Sequence, residues 1–193
     1  MNETLKLGLI LLIITSVSAA VLAVSNDVTS VAIEEQAKIL NDNARREVFE
    51  DADEFKSIED ELLGNIKENK PEVKEIYEAL DSSGNTIGYT ISLDTKGYGG
   101  NIELLVGISV ENKVAGIKVL SHSETPGLGA KAAEPEFQSR FVDKSAEDEL
   151  TVVKEETSSD NEVQAISSAT ITSKGVMNGV NLAIEIYNGD LVK

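Results

Sequence analysis

Leu7 to Val24 runs for 18 residues without a charged side chain, LGLILLIITSVSAAVLAV. A helix of that length rises about 27 Å, close to the roughly 30 Å hydrocarbon core of a bilayer. Thr15, Ser16 and Ser18 interrupt the run, but hydroxyls satisfy themselves against a helix backbone. The run therefore separates a membrane anchor, residues 1–25, from a water-facing remainder. Lys6 and the terminal amine precede it, and Asn26 and Asp27 come after it. The positive-inside tendency then predicts a cytoplasmic N-terminus and an extracytoplasmic remainder. The alternative is a cleaved signal peptide, for which Val21-Leu22-Ala23 offers a small-residue cleavage site. Both readings export the rest of the chain.

The exported part is long enough for one compact domain, and an apolar content of 41% supplies a core. Net charge is −17, from 34 acidic and 17 basic residues. That balance opposes nucleic-acid binding, which needs basic clusters to neutralise phosphates, and opposes lying flat on anionic lipid. There is no cysteine and a single histidine, His122. A Cys-ligated zinc site, an iron–sulfur cluster, a thiol nucleophile and a disulfide framework on this chain are thereby excluded. With no Trp, four Tyr and four Phe, a base-stacking surface is not expected.

After the anchor, Ile33, Ala37, Leu40, Ala44 and Val48 form an apolar stripe at helical spacing, with Glu35, Arg45 and Arg46 between them. Residues 57–68 predict a second short helix, so 26–70 reads as a helical membrane-proximal segment. The texture changes after Pro71. VKEIYEAL, TIGYTISL, NIELLVGISV and KVAGIKVL are Val/Ile/Tyr-rich runs bounded by Asp81 to Asn85, Gly97 to Gly100 and Glu111-Asn112-Lys113. Short links between consecutive strands predict an antiparallel meander. FQSRF predicts a helix and LTVVK a further strand. Ile171 to Tyr187 predicts a closing helix with the stripe Val176, Val180, Ala183, Ile184, Tyr187. The class is α+β: one N-terminal transmembrane helix, then one extracytoplasmic domain with a central, mostly antiparallel sheet and flanking helices.

Two segments depart from ordinary scaffold. Ser167-Ser168-Ala169-Thr170-Ile171-Thr172-Ser173 places five hydroxyl residues in seven before the last helix. Free first-turn N–H groups and the helix dipole there favour an anion such as a phosphate; the plainer reading is a surplus of N-cap residues. Ser121 to Lys131, SHSETPGLGAK, combines a Pro126-Gly127 turn with Gly129, which permits close backbone approach to a ligand; the plainer reading is a polar connector. His122 stands without a Cys or His partner and reads as a loop-stabilising hydrogen bonder. Gly97-Tyr98-Gly99-Gly100 reads as a hairpin turn whose backbone comes close to a ligand or to the second loop. Glu147-Asp148-Glu149 and Glu155-Glu156 lack calcium-loop spacing and read as solvated faces. No catalytic or metal-ligating set is expected.

QAISSATITSKGV, HSETPGLGAK and KGYGGNIELLVGI together resemble the FMN-binding domain family, as found in the G subunit of the Rnf electron-transport complex and in the C subunit of the sodium-pumping NADH:quinone oxidoreductase. The resemblance covers nearly the whole chain, anchor included. It implies FMN joined through its phosphate to Thr170 by a flavin transferase. Two positions depart from the family pattern: Gln164 replaces an Asp and Ser168 a Gly. A positive φ at 168 would cost the serine about 1 kcal/mol or more. The resemblance makes Thr170, Ser167, Ser168, Ala169, Thr172, Ser173 and Lys174 the phosphate end of a site spanning residues of the 71–193 FMN-binding domain. Glu124, Thr125, Leu128, Gly129 and Lys131 are then expected to line the isoalloxazine ring, with a cation such as Lys131 stabilising reduced flavin.

The function so implied is an electron carrier of an ion-translocating ferredoxin:NAD⁺ oxidoreductase, single-pass in the cell membrane beside other subunits of such a complex. The equivalent quinone-reductase component, or a free-standing extracytoplasmic shuttle, is the alternative within the same chemistry. A non-redox exported binding module is the alternative outside it.

Overall fold

A computed structural model describes residues 3–155 and 157–192; the terminal amine and Glu156 lie outside the described residues. Two compact units divide the chain, Met1–Leu40 and Asn41–Lys193. α1 (Glu3–Val48) contains the uncharged run, where Leu7, Leu11, Leu12, Val21 and Leu22 are all exposed. Thr15 Oγ1 donates back to the carbonyls of Leu11 and Leu12 at 3.0 Å, as the composition of the run requires. Among the described residues α1 is the one helix long and apolar enough to cross a membrane.

The stripe beginning at Ile33 belongs to this same helix. Ile33 and Leu40 stay exposed, and only its last turns carry the stripe into the second unit: Ala44 is buried and Val48 half-buried. What anchors those turns is polar as well as apolar. Arg45 is 2% exposed. It pairs with Asp42 (2.6 Å) and Glu75 (2.5 Å) and stacks over the Tyr77 ring, 3.8 Å from its centroid. A planar guanidinium tolerates this burial because its two terminal nitrogens are paired and its face is covered, although its Nε has no partner among the described residues.

The second unit is built on a five-stranded antiparallel sheet in sequential order: β1 (Glu54–Ser57), β2 (Val73–Leu80), β3 (Thr86–Lys96), β4 (Asn101–Ser109) and β5 (Lys113–His122). Its turns use the residues that the sequence offered. The Asp81 carboxylate accepts from the N–H groups of Ser83 and Asn85 (both 2.8 Å), and Gly97 N–H donates to Gly100 O at 2.8 Å. α2 (Asp60–Asn69) packs near β2, joining residues from the 26–70 stretch to the sheet. β1 carries no sequence signal because EFKS is a short, largely exposed edge strand without alternation. The predicted strand at 151 is β6 (Thr151–Val153), and its partner β7 (Glu162–Gln164), three residues long and parallel to it, is an addition to the sequence reading. FQSRF is only partly helical: α3 (Pro135–Gln138) passes into a 3₁₀ turn, so that Phe137 and Phe141 meet edge to face at 5.4 Å in the core.

The two faces of the sheet are covered differently. Ile76, Ile91, Leu93, Leu104, Val106 and Ile117 face the main core beneath the last helix, α4 (Thr170–Ile186). α4 lies close on β3 and β4 because two of its inward positions are glycine. A Cβ on Gly175 would overlap the Lys96 carbonyl, and one on Gly179 would sit 3.0 Å from Leu104. Thr95 Oγ1 then reaches the Gly175 carbonyl at 2.7 Å. On the other face, Gly88 and Gly107 leave room for Phe49 and Val48 at the end of α1. One end of the sheet thus gathers the β3–β4 turn, the segment after β5 and the start of α4.

Candidate functional site

α4 begins without a cap. Ala169 occupies the N-cap position with φ −133° and ψ 43°, and no side chain bonds to the first-turn N–H groups. Alanine is among the poorest N-cap residues, although serines and threonines surround it. The plainer reading of the hydroxyl cluster, a surplus of caps, therefore does not hold. Two hydroxyls are instead committed inward. Ser173, fully buried, donates to Ala169 O (3.0 Å) and accepts from Ile166 N–H (2.9 Å), tightening the turn that leads into the helix. Thr172, 1% exposed, donates to Glu124 Oε2 at 2.7 Å. Ser168 is exposed and sits at φ +64°, the left-handed region in which a serine is strained.

The segment after β5 folds over this turn. Leu128 and Ala130 donate their N–H groups to Thr125 O (3.1 and 3.2 Å), with Gly127 at φ +77° close by. His122 Nδ1 accepts from Glu124 N–H at 3.2 Å, a loop-stabilising contact as expected. Glu124 is 6% exposed, and its Oε1 accepts from the N–H groups of Tyr98 (2.7 Å) and Gly99 (2.9 Å). The glycine turn comes up against the second loop: a Cβ on Gly99 would overlap Ser123 O.

Between these three segments lies a cleft of about 460 Å³, within the range of small-molecule sites. Tyr98, Glu124, Thr125, Leu128, Gly129, Ser168, Ala169, Thr170, Ile171 and Thr172 line it. Its rim is apolar, with Tyr98, Leu128 and Ile171 exposed by 71%, 43% and 57%. Its floor carries the uncapped helix start and the half-buried Thr170. This arrangement suits a ligand with a flat apolar body and a phosphate: the ring has hydrophobic walls, and the anion meets unpaired N–H groups and a dipole.

Four expected contributors lie elsewhere. Ser173 is sealed beneath the turn. Lys174 is exposed on α4 and does not line the cleft. Ser167 and Lys131 line a neighbouring recess with Phe137 and Arg140. The expected cation is therefore missing from the cleft wall, because the 3₁₀ turn Gly129–Ala133 carries Lys131 past it. Gly129 does not have a positive φ; a Cβ there would overlap Glu124 Oε2 and stand 2.6 Å from Thr172 Oγ1. Tyr98 and Ile171 were not among the expected lining residues. Both carried a signal: Tyr98 is an aromatic set between glycines in a turn, and Ile171 lies off the buried stripe of its helix.

The FMN-binding domain family matches residues 97–185, which include all three cleft segments. The G subunit of the Na(+)-translocating ferredoxin:NAD(+) oxidoreductase complex of Acetobacterium woodii is 42% identical over 189 residues, covering 94% of this chain and 90% of its own. The G subunit of the proton-translocating ferredoxin:NAD(+) oxidoreductase complex of Clostridium ljungdahlii is 41% identical over 170 residues, covering 88% and 83%. The crystal structure of the C subunit of the Na(+)-translocating NADH-quinone reductase from Parabacteroides distasonis shares the fold. Its TM-score is 0.58 at 23% identity, over 74% of this chain and 79% of that one.

Proposed function

Since the chain belongs to the G-subunit family of ion-translocating oxidoreductase complexes, we propose that it carries FMN joined covalently through phosphate to Thr170. The chain is an electron-transport subunit of such a complex, works beside the other subunits, and contains an FMN-binding domain. The observation that carries the covalent reading is the uncapped start of α4 at Thr170, opening into an apolar-rimmed cleft. Of the five hydroxyls at this turn, those of Thr172 and Ser173 are bonded inward. Ser167 faces the neighbouring recess. Thr170 and Ser168 remain at the cleft, and only Thr170 stands on the helix, where the dipole would stabilise the phosphodiester.

Maturation is a transfer of the FMN phosphoryl group to a threonine oxygen. The Thr170 oxygen attacks the FMN phosphorus of FAD, the pyrophosphate bond breaks, AMP leaves, and the threonine proton is lost to solvent or base. A flavin transferase supplies this chemistry, and Gln164, in place of the family's Asp, lies on β7 upstream of the turn. Once bound, FMN supplies the redox chemistry; the protein orients it and sets its electrostatic surroundings. Ser168, Ala169, Thr172, Glu124, Thr125, Leu128 and Gly129 form the walls. The exposed apolar face of α1 supports a single membrane anchor, with Lys6 on the cytoplasmic side and the FMN-binding domain, 71–193, extracytoplasmic. The match of the FMN-binding domain family to the segments that line the cleft sets this reading above that of a non-redox binding module.

The test is co-production of the full chain with a flavin transferase and ultraviolet illumination of a denaturing gel. The wild-type band fluoresces. A dark band from the co-produced wild-type chain overturns the covalent reading.

A further inference from the structure

Glu124 joins the three walls of the cleft, and two glycines are shaped around it. A Cβ on Gly97 would overlap its Oε1, and a Cβ on Gly129 would overlap its Oε2. Its carboxylate is held by three donors from two separate segments, the N–H groups of Tyr98 and Gly99 and the Thr172 hydroxyl. Among the described residues it has no ion pair with a lysine or arginine. Burial raises its proton affinity, but the Thr172 hydroxyl and the N–H groups of Gly99 and Tyr98 outweigh that effect, together with His122, and hold the carboxyl below its ordinary value. It is ionised at neutral pH. No lysine, arginine or histidine lines the cleft, so Glu124 is its one charged side chain among the described residues.

We propose, resting on the FMN reading above, that Glu124 is a positioning residue that ties the three walls together and that its charge biases the bound ring against its anionic reduced form. A flavin that gains two electrons and one proton carries a negative charge on the ring; gaining a second proton leaves it neutral. A fixed carboxylate in a low-dielectric wall raises the free energy of the first product relative to the second. The cofactor is therefore held at a lower potential, the opposite of what a lysine there would do.

Glu124→Gln separates the two roles. Its amide oxygen still accepts from Tyr98 and Gly99, and its NH₂ faces the Thr172 hydroxyl, which turns to accept. The walls stay and the charge goes. In the full chain in detergent, titrated with dithionite, the variant keeps one flavin and its reduction equilibrium moves about tenfold toward the reduced form, about 30 mV for a two-electron couple. Glu147→Gln, an equal charge change outside the cleft, leaves the potential in place. An unmoved potential in Glu124→Gln overturns the electrostatic role. The positioning role is read without flavin, by hydrogen exchange on flavin-free chain. Glu124→Ala exchanges the Tyr98 and Gly99 amides at least tenfold faster, and Glu124→Gln does not. Equal exchange in wild type and Glu124→Ala overturns it; if Glu124→Ala does not fold, Glu124→Asp, too short to reach both the Tyr98–Gly99 amides and the Thr172 hydroxyl, is read in the same way. A wild-type chain that takes no flavin sinks the FMN reading and leaves the exchange result to decide the clamp.

Discussion

Ser168 and Ser173, five residues apart, show how differently two serines of one turn are used. At φ +64° Ser168 bears a left-handed strain of about 1–2 kcal/mol, partly offset by the greater freedom that glycine has in the unfolded chain. Ser168→Gly is expected to stabilise the domain by up to about 1 kcal/mol, read as a higher urea midpoint at unchanged slope. Ser173→Ala acts the other way. It strips the buried Ile166 N–H of its acceptor and costs about 1–3 kcal/mol, while leaving the Thr170 hydroxyl in place. The hydroxyl cluster was legible in the sequence as a special helix start, but its division of labour was not. Which serine is buried depends on the approach of residue 166, and the partner of Thr172 is 48 residues away. Lys131 shows the same limit. Its closeness in sequence to the PGLG turn suggested a cation at the ring, yet one 3₁₀ turn carries it into the next recess.

At the scale of elements, β2 to β5 were readable because each is a Val/Ile/Tyr-rich run with turn residues at its ends, and the last helix because its apolar stripe has a helical period. The exceptions, β1 and β7, are four and three residues long and exist through pairing rather than pattern. The packing of α4 on the sheet rests on Gly175, where a Cβ would overlap the Lys96 carbonyl. Gly175→Ala should therefore displace the helix from β3 at a cost of about 1–3 kcal/mol, seen in chemical denaturation. The Glu124 link between α4 and the β3–β4 turn makes this end of the domain sensitive to acid. Its folded pKa lies below the ordinary 4.5. Its contribution is thus complete above that value and is lost as pH falls through the lower folded value. Stability measured against pH should show a descending limb below about pH 4.5 that flattens in Glu124→Gln.

For the whole molecule, the sequence divides by charge and apolarity into a stretch suited to lipid and a strongly acidic remainder. The structure assigns all the cleft-lining residues to the second compact unit, Asn41–Lys193. Chain lacking residues 1–24 is accordingly expected in the soluble fraction when no partner subunits are present, and sedimentation with membranes would count against a single anchor. The central claim is that this unit holds FMN on the oxygen of Thr170. Intact-mass measurement on chain co-produced with a flavin transferase tests it most directly. The account predicts that wild type gains the mass of one FMN less one water, and that Thr170→Ala gains nothing while keeping the wild-type urea transition. A folded Thr170→Ala chain that still carries the adduct, with the modified peptide mapping to Ser168 or another hydroxyl, would contradict it.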